Sequence, residues 1–587
     1  PVSMLNNNVL MNSDFFTGAF PADYGNAISG VFDLRMRNGN YNQHEFIGQI
    51  GFNGFEAGAE GPINKENKSS YLVNYRYSTL GVMSAMGINF GTGAAIPYYQ
   101  DVTMKLSFPQ TPIGNISVFA LGGISSIDLL ASDETDTLEN LYNNRLDIYD
   151  RNRMGVIGIN HTYLINNKSY TRFTLAASSL ISRDKVDSLS AENGNPVDFY
   201  KQDFVQNKVT ANFFYKLKLN SKNNFQTGVR LEQTIANLSD SIIQNPTDAF
   251  ASLTEFDGST YLLQPYISWQ HRFNENITLN TGLHWQYLGL NGSQALEPRA
   301  GMKYQLSDKD ALSFGYGLHS LMPPVSVFFT TTETSPGVWE QLNTEIGFIK
   351  AHHFVLGYDR LLNENLRIKA EVYYQSLFDV LVDADSSSFS TVNYGSLLSG
   401  FPDRLQNTGT GSNYGVELTF EQFLTHGFYF LFTTSLYHST YVGSDGVERM
   451  TAFAGDYVVN GLVGKEFRLN RNNPDSKPKY IVVDTRLTAA GGQRYTPIDI
   501  TASLEQQRTV YDWDNAYSAQ FDDYFRWDGR IAFKMEGRST SQEWAVDVQN
   551  ISNKKNPFNQ QLNLETGEVE TTYQLGIFPV MQYRITF

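Results

Sequence analysis

The last seven residues, Met581-Gln582-Tyr583-Arg584-Ile585-Thr586-Phe587, alternate without a break. A strand has a side-chain period of two, so Met581, Tyr583, Ile585 and Phe587 share one face. Gln582, Arg584 and Thr586 share the other. An apolar, aromatic face opposite a polar one suits a soluble sandwich with the apolar side inward. It suits equally a membrane barrel with the apolar side on lipid and an aromatic end in the interfacial girdle. One strand does not separate the two.

The same pattern recurs along most of the chain. Ile277, Leu279, Thr281, Leu283, Trp285 and Tyr287 oppose Thr278, Asn280, Gly282, His284 and Gln286. Leu312, Phe314, Tyr316 and Leu318 oppose Ser313, Gly315, Gly317 and His319. Leu366, Ile368, Ala370, Val372 and Tyr374 oppose Arg367, Lys369, Glu371 and Tyr373. Phe225–Glu232 and Tyr414–Glu421 alternate likewise. The sharpest case sets Phe525, Trp527, Gly529, Ile531, Phe533 and Met535 against Arg526, Asp528, Arg530, Ala532, Lys534 and Glu536. So many apolar faces need a matching apolar partner. Single soluble cores stop growing at about 250–300 residues, and no linker divides this chain. Lipid is the simpler partner. A β-propeller is disfavoured, because Trp513-Asp514 and Trp527-Asp528 are isolated dipeptides without a repeat of about 40–45 residues.

Composition agrees. Of 587 residues, 14% are aromatic and 47 are Gly, which suits many strands joined by turns. No run of about 18 apolar residues exists, so no helix crosses a membrane. The longest charge-free stretch, Tyr77 to Gln100, is broken by Gly81, Gly87, Gly91 and Gly93 and reads as a loop. A net charge of −16 argues against nucleic acid as a partner, since phosphate binding needs a basic face. With no cysteine there is no disulfide frame, thiolate metal site or cysteine nucleophile. The sequence opens at Pro1 without Met or the parts of a signal peptide, as expected of a processed or internal start.

The expected fold is all-β: a transmembrane antiparallel β-barrel over residues 41–587, preceded at 1–40 by a different, turn-rich unit. That unit contains Phe20-Pro21-Ala22-Asp23-Tyr24-Gly25 and leads to a short apolar strand, Val31–Met36. Residue spacing allows roughly 22 strands, the size of plugged transporters. Asn223-Asn224, Asn274-Glu275-Asn276 and Asn363-Glu364-Asn365 read as short periplasmic turns. Ser132–Asn152, Asp240–Gly258, Asp383–Asn407 and Gln506–Asp522 read as outer loops. Their aromatics, such as Phe389, Tyr394 and Phe401, fit both ligand binding and girdle anchoring.

Several stretches carry a family likeness. They are Phe20–Gly30, Ser70–Leu80, Pro97–Asp101, Glu297-Pro298-Arg299, Asn413–Glu417, Gly491–Pro497, Asp547–Asn553 and Tyr583–Phe587. Together they resemble the TonB-dependent outer-membrane receptors, in particular the Bacteroidota-type group, in the expected order across nearly the whole chain. The resemblance implies a location in the bacterial outer membrane, with outer-membrane lipid around the barrel. It implies that 1–40 is the C-terminal end of a plug domain, and that a scarce solute of unknown identity is taken up. It further implies a periplasmic TonB protein that pulls on an N-terminal segment preceding this sequence. A surface lipoprotein or another outer-membrane protein is a further possible partner. The alternative is a receptor-like barrel serving as a scaffold subunit of a larger outer-membrane complex, for secretion or protein assembly. A passive porin ranks third.

No catalytic constellation emerges: there is no nucleophile elbow and no HExxH, so an enzyme is not expected, nor is a cofactor. Asp133-Glu134-Thr135-Asp136 with Glu139, Asp147 and Asp150 lacks the spacing of a Ca²⁺ loop and reads as a solvated loop. Gly87–Gly93 lacks the Lys and Ser/Thr of a phosphate loop. His352 and His353 point to opposite faces of a strand and do not share one ion. Asp484 and Asp499, near Arg486 and Arg494, read as members of lumen ion pairs. Arg367, Lys369, Glu371, Arg526, Asp528, Arg530 and Lys534 read as paired charges of a wet bore. They also have the chemistry to hold a plug or line a ligand path.

Overall fold

The computed structural model describes residues 4–52, 54–80, 97–133, 146–190, 194–243, 250–394, 402–470, 477–506, 508–564 and 566–587. Each strand pairs antiparallel with its sequence neighbours, and the first, Glu45–Gly51, pairs with the last, Phe578–Thr586, to close a ring of 22 strands. One crossing is split: Glu448–Met450 and Tyr457–Arg468 both pair with Phe428–Val442. Closure leaves no free edge, which is what a spanning sheet requires where no water can satisfy the backbone.

The alternation has the predicted sense. Met581 is 67% exposed and Ile531 55%, both on the outer wall. Arg584 turns inward and donates to Asn8 Oδ1 at 2.6 Å. In the Tyr524–Glu536 strand the polar set forms a ladder across the bore. Arg526 and Arg486 each lie 2.6 Å from Asp528, Arg530 reaches Glu543 at 2.5 Å and Asp484 at 3.4 Å, and Lys534 meets Glu536 at 2.6 Å. Arg367 bridges Asp359 and Glu421, and Lys369 meets Glu371 at 2.6 Å. Ile531→Lys, on the lipid wall, is expected to destabilise the barrel by about 2–4 kcal/mol. Lys534→Gln, which removes a water-accessible pair, should cost less than about 1 kcal/mol. Urea unfolding from phosphatidylcholine vesicles measures both. Equal costs would mean the two faces are not in different solvents.

Most connections at one end are tight, and this end also holds Glu45 and Phe587. By the rule that short turns face the periplasm, it is the periplasmic end. Asn274–Asn276 and Asn363–Asn365 fall there as expected. Asn223 and Asn224 do not form a turn. They begin the next strand, paired with His271 and Gln270. The reversal lies at 219–222, where Asn220 Oδ1 accepts from the backbone N–H groups of Lys222 and Asn223, both at 2.9 Å.

The expected outer loops are shorter than the sequence suggested. Leu146–Asn166 takes the end of the 132–152 loop into a strand. Asn223–Ile242 and Ala251–Arg272 absorb most of 240–258. Leu405–Thr425 takes the last residues of 383–407, and 506–522 contains a helix end and the short strand Ala519–Gln520. Backbone pairing does not need lipid, so the ladder continues past the apolar band where the side chains turn polar. Much of the 77–100 stretch and of the acidic cluster (Glu134–Asp136 and Glu139), the 87–93 glycine stretch and Phe401 lie outside the described residues. Asp147 and Asp150 are bonded within the chain: Asp147 accepts from the Ser132 N–H at 2.9 Å and hydroxyl at 2.7 Å, and Asp150 from the Asn152 amide at 2.5 Å.

The bore is not polar throughout. Toward the outer end, inward-facing Leu238, Leu262, Leu288 and Leu405 pack with Val325, Val327, Phe328, Phe329, Ile346 and Phe348 of the 322–348 connection. Phe389, expected in an outer loop, also packs on this cluster. That connection folds into the mouth because its own apolar residues have no lipid or outer wall to cover them.

Candidate functional site

Residues 4–40 thread the lumen. Asp14–Phe16 pairs with Val31–Asp33 as a small hairpin. On one side the segment is fastened beside the closing seam. The Asn6 amide donates to Glu56 at 3.0 Å and to Asn74 at 2.7 Å. Arg37 holds Glu60 through two bonds of 2.7 Å, and Lys105 donates to the Met36 carbonyl at 2.6 Å. Close by, Arg76 of the 70–80 stretch pairs with Asp101 of the 97–101 stretch at 2.9 Å.

The opposite side makes the tighter grip. In a ring of 22, the strand opposite the first is the twelfth, Gln294–Gln305. Its inward residues include Glu297 and Arg299, the ends of the Glu-Pro-Arg motif, both buried. They form an ion pair with each other. Glu297 also accepts from the Gln286 amide at 2.7 Å and from the Ser320 hydroxyl. Arg299 donates to the carbonyls of Pro21 and Tyr24, both at 2.5 Å, and its guanidinium lies 4.9 Å from the Phe20 ring centre. Two motifs with no local connection in the sequence therefore meet. A buried guanidinium, held by one carboxylate and capped by backbone carbonyls, fixes the turn of Phe20–Gly25.

Histidines complete the wall. The His284 Nδ1–H donates to the Ala22 carbonyl at 2.8 Å, and the Ala19 N–H donates to His353 Nδ1 at 3.4 Å. Phe20 packs on His319 with centroids 3.9 Å apart, and His319 on His353 at 4.6 Å. The backbone approach is close. A Cβ on Gly25 would lie 2.2 Å from His284 Nε2, and one on Gly282 would lie 2.6 Å from the Ala22 side chain. Glycine is the residue that admits such contact. Burial pushes the Asp23 carboxyl up, with Arg299 and Arg230 pulling the other way.

Among the described residues, no group of three or more His, Cys, Asp or Glu is arranged to hold a metal ion. His352 and His353 do face apart: His352 stacks on Phe378 outside the buried layer, and His353 joins it. Asp484 pairs with Arg530 rather than Arg486 or Arg494. Asp499 is no lumen ion pair, because it lies at the start of the helix Ile500–Gln506, where its carboxylate accepts from the Ala502 N–H at 2.9 Å. Arg494 meets Asp456 at 3.7 Å. The histidine wall was not foreseen. Its only trace in the sequence is His284 and His319 on the polar parity of their strands, and parity does not show that a segment from far away packs on them.

The architecture is a closed transmembrane β-barrel with a chain segment bonded to opposite sides of its bore. Residues 110–553 match the family described as TonB dependent receptor-like, beta-barrel, and the chain belongs to that family. Solved structures share the fold at low identity. The ferric-catecholate import receptor Fiu of E. coli K12 aligns with a TM-score of 0.69 at 11% identity, over 96% of this chain and 85% of that one. The pyoverdine receptor FpvA of Pseudomonas aeruginosa gives 0.70 at 11%, over 99% and 83%. The siderophore receptor PiuA of Acinetobacter baumannii gives 0.69 at 11%, over 99% and 86%. No curated protein matches the sequence.

Proposed function

We propose that the chain is the barrel of a TonB-dependent transporter, with residues 1–40 as the C-terminal end of its plug and 41–587 as the conduit. The observation that carries this reading is the Arg299 grip on Phe20–Gly25. It holds a lumen segment at the wall opposite the seam by a few charged and backbone bonds, not by a continuous apolar core. Such a joint can part under force and re-form. In this reading TonB delivers the force through residues N-terminal to the segment, and the solute enters from the outer mouth. The structural neighbours are receptors for iron-chelating siderophores, which makes a ferric siderophore the first solute class to try.

The test is uptake of radioactive iron as ferric catecholate, ferric hydroxamate and ferripyoverdine complexes. Cells carry the receptor with and without their TonB protein. Uptake of at least one complex should need both. Uptake unchanged by loss of TonB would overturn the coupling. A barrel that copurifies in mild detergent with a fixed set of outer-membrane proteins, and imports nothing, would favour the scaffold instead.

A further inference from the structure

The outer wall carries a recess of about 460 Å³ that plays no part in the bore. It crosses five neighbouring strands near the seam. Strand register places Tyr75, Val102, Gly122, Gly155 and Ser179 in one row across them. The next row toward the outer end holds Gln100, Ile124, Arg153 and Ile181. Both rows face out, because the alternate residue Asp101 points into the bore and pairs there with Arg76.

Gly122 and Gly155 form the floor. Neither adopts a left-handed backbone conformation. A Cβ on Gly122 would press on the Met154 carbonyl oxygen at 3.3 Å, whereas one on Gly155 would meet its nearest atom at an ordinary 3.8 Å. Folding alone does not demand glycine at 155. The recess exists because two side chains are missing from a surface where the neighbours are large: Val102, Ile124 and Tyr75 stand exposed around it.

Arg153 sits at the upper edge. Among the described residues it makes no ion pair and no side-chain hydrogen bond. Its outward neighbours are satisfied: Arg151 pairs with Asp128 at 2.5 Å and Arg183 with Asp203 at 3.1 Å. Four residues down the same strand, Ile157 is 55% exposed on the lipid wall. Arg153 therefore stands where the apolar band gives way to headgroups. At that level a guanidinium reaches the headgroups at little cost, and its planar fork matches a phosphate.

We propose that this recess seats an acyl chain of an outer-leaflet lipid, and that Arg153 pairs with the phosphate of the same lipid. The Gly122–Gly155 floor takes the chain, and the guanidinium selects the headgroup. The site is separate from solute uptake and stands or falls without it.

Native mass spectrometry of the full chain in neutral detergent tests this, with phosphatidylglycerol and diacylglycerol of identical acyl chains as probes. The unaltered chain should retain phosphatidylglycerol about tenfold better than diacylglycerol, which has no phosphate. Arg153→Gln should bring the two level, Arg153→Lys should fall between, and Gly155→Leu should lower retention of both. Heat-modifiable migration confirms that each variant is folded. Equal retention of both lipids by the unaltered chain would overturn the proposal, as would an Arg153→Gln chain that still prefers phosphatidylglycerol. Inorganic phosphate at equal concentration should not displace the lipid. Full displacement would show that the acyl seat contributes nothing and would overturn that half.

Discussion

Removal of Phe578–Phe587 should abolish the barrel. This strand has two partners. Nine of its residues pair with Ser541–Gln549, and five pair with Ile47–Gly51 at the seam. The contact continues at the terminus, where the Phe46 N–H donates to the Phe587 carbonyl at 2.7 Å and the return bond is 3.0 Å. Without the strand, both partners become open edges in hydrocarbon. Each unsatisfied backbone group there costs several kcal/mol, so the total far exceeds the about 5–15 kcal/mol that holds a typical domain together. Cold gel electrophoresis reads the result. The intact chain should migrate as a compact, heat-modifiable species, and the truncated chain only as the unfolded one. A compact truncated species would show that the seam does not close the ring.

The second large effect is expected at Arg299. Arg299→Gln removes the donor to Pro21 and Tyr24 and leaves Glu297 charged and buried with only Gln286 and Ser320 beside it. Breaking a buried pair in this way costs about 3–5 kcal/mol. The cost should fall on the joint rather than the ring, because the neighbouring strands keep their ladders. Deuterium uptake by a peptide spanning residues 18–26 should rise sharply while peptides from the 294–305 strand change little. Arg299→Lys keeps the charge but loses the fork, so it should fall between. Unchanged uptake in the 18–26 peptide would show that the segment is held by other contacts.

The ring itself was legible in the sequence. Strands such as Tyr524–Glu536 and Met581–Phe587 alternate because lipid and water lie on opposite sides of one sheet, and nothing distant alters that. The grip was legible only as two separate motifs. Phe20–Gly25 and Glu297-Pro298-Arg299 lie some 270 residues apart, with Arg299 and Pro21 separated by 278 positions, and no local periodicity records their contact. The apolar mouth was missed for a related reason. Leu238, Leu262, Leu288 and Leu405 sit on the inward parity, where polar residues were expected. Period two tells which face a residue occupies but not what fills the space before it. A clue lay in Val325–Phe329 and Ile346–Ile349, apolar runs inside a connection that would otherwise stand in water. The outer loops extend less far than expected because charged strand stretches such as 146–152 resemble loops when hydrocarbon is taken as the only reason to pair.

The unequal strand lengths leave the rim sloping. Pro196–Lys218 has 23 residues, whereas Phe578–Thr586 and Ser541–Gln549 have nine each. At about 3.3 Å per residue and a tilt near 45°, that difference raises one parapet by about 30 Å over the other. A particle drifting along the cell surface meets a tall sheet from one quarter and shorter strands beside the seam.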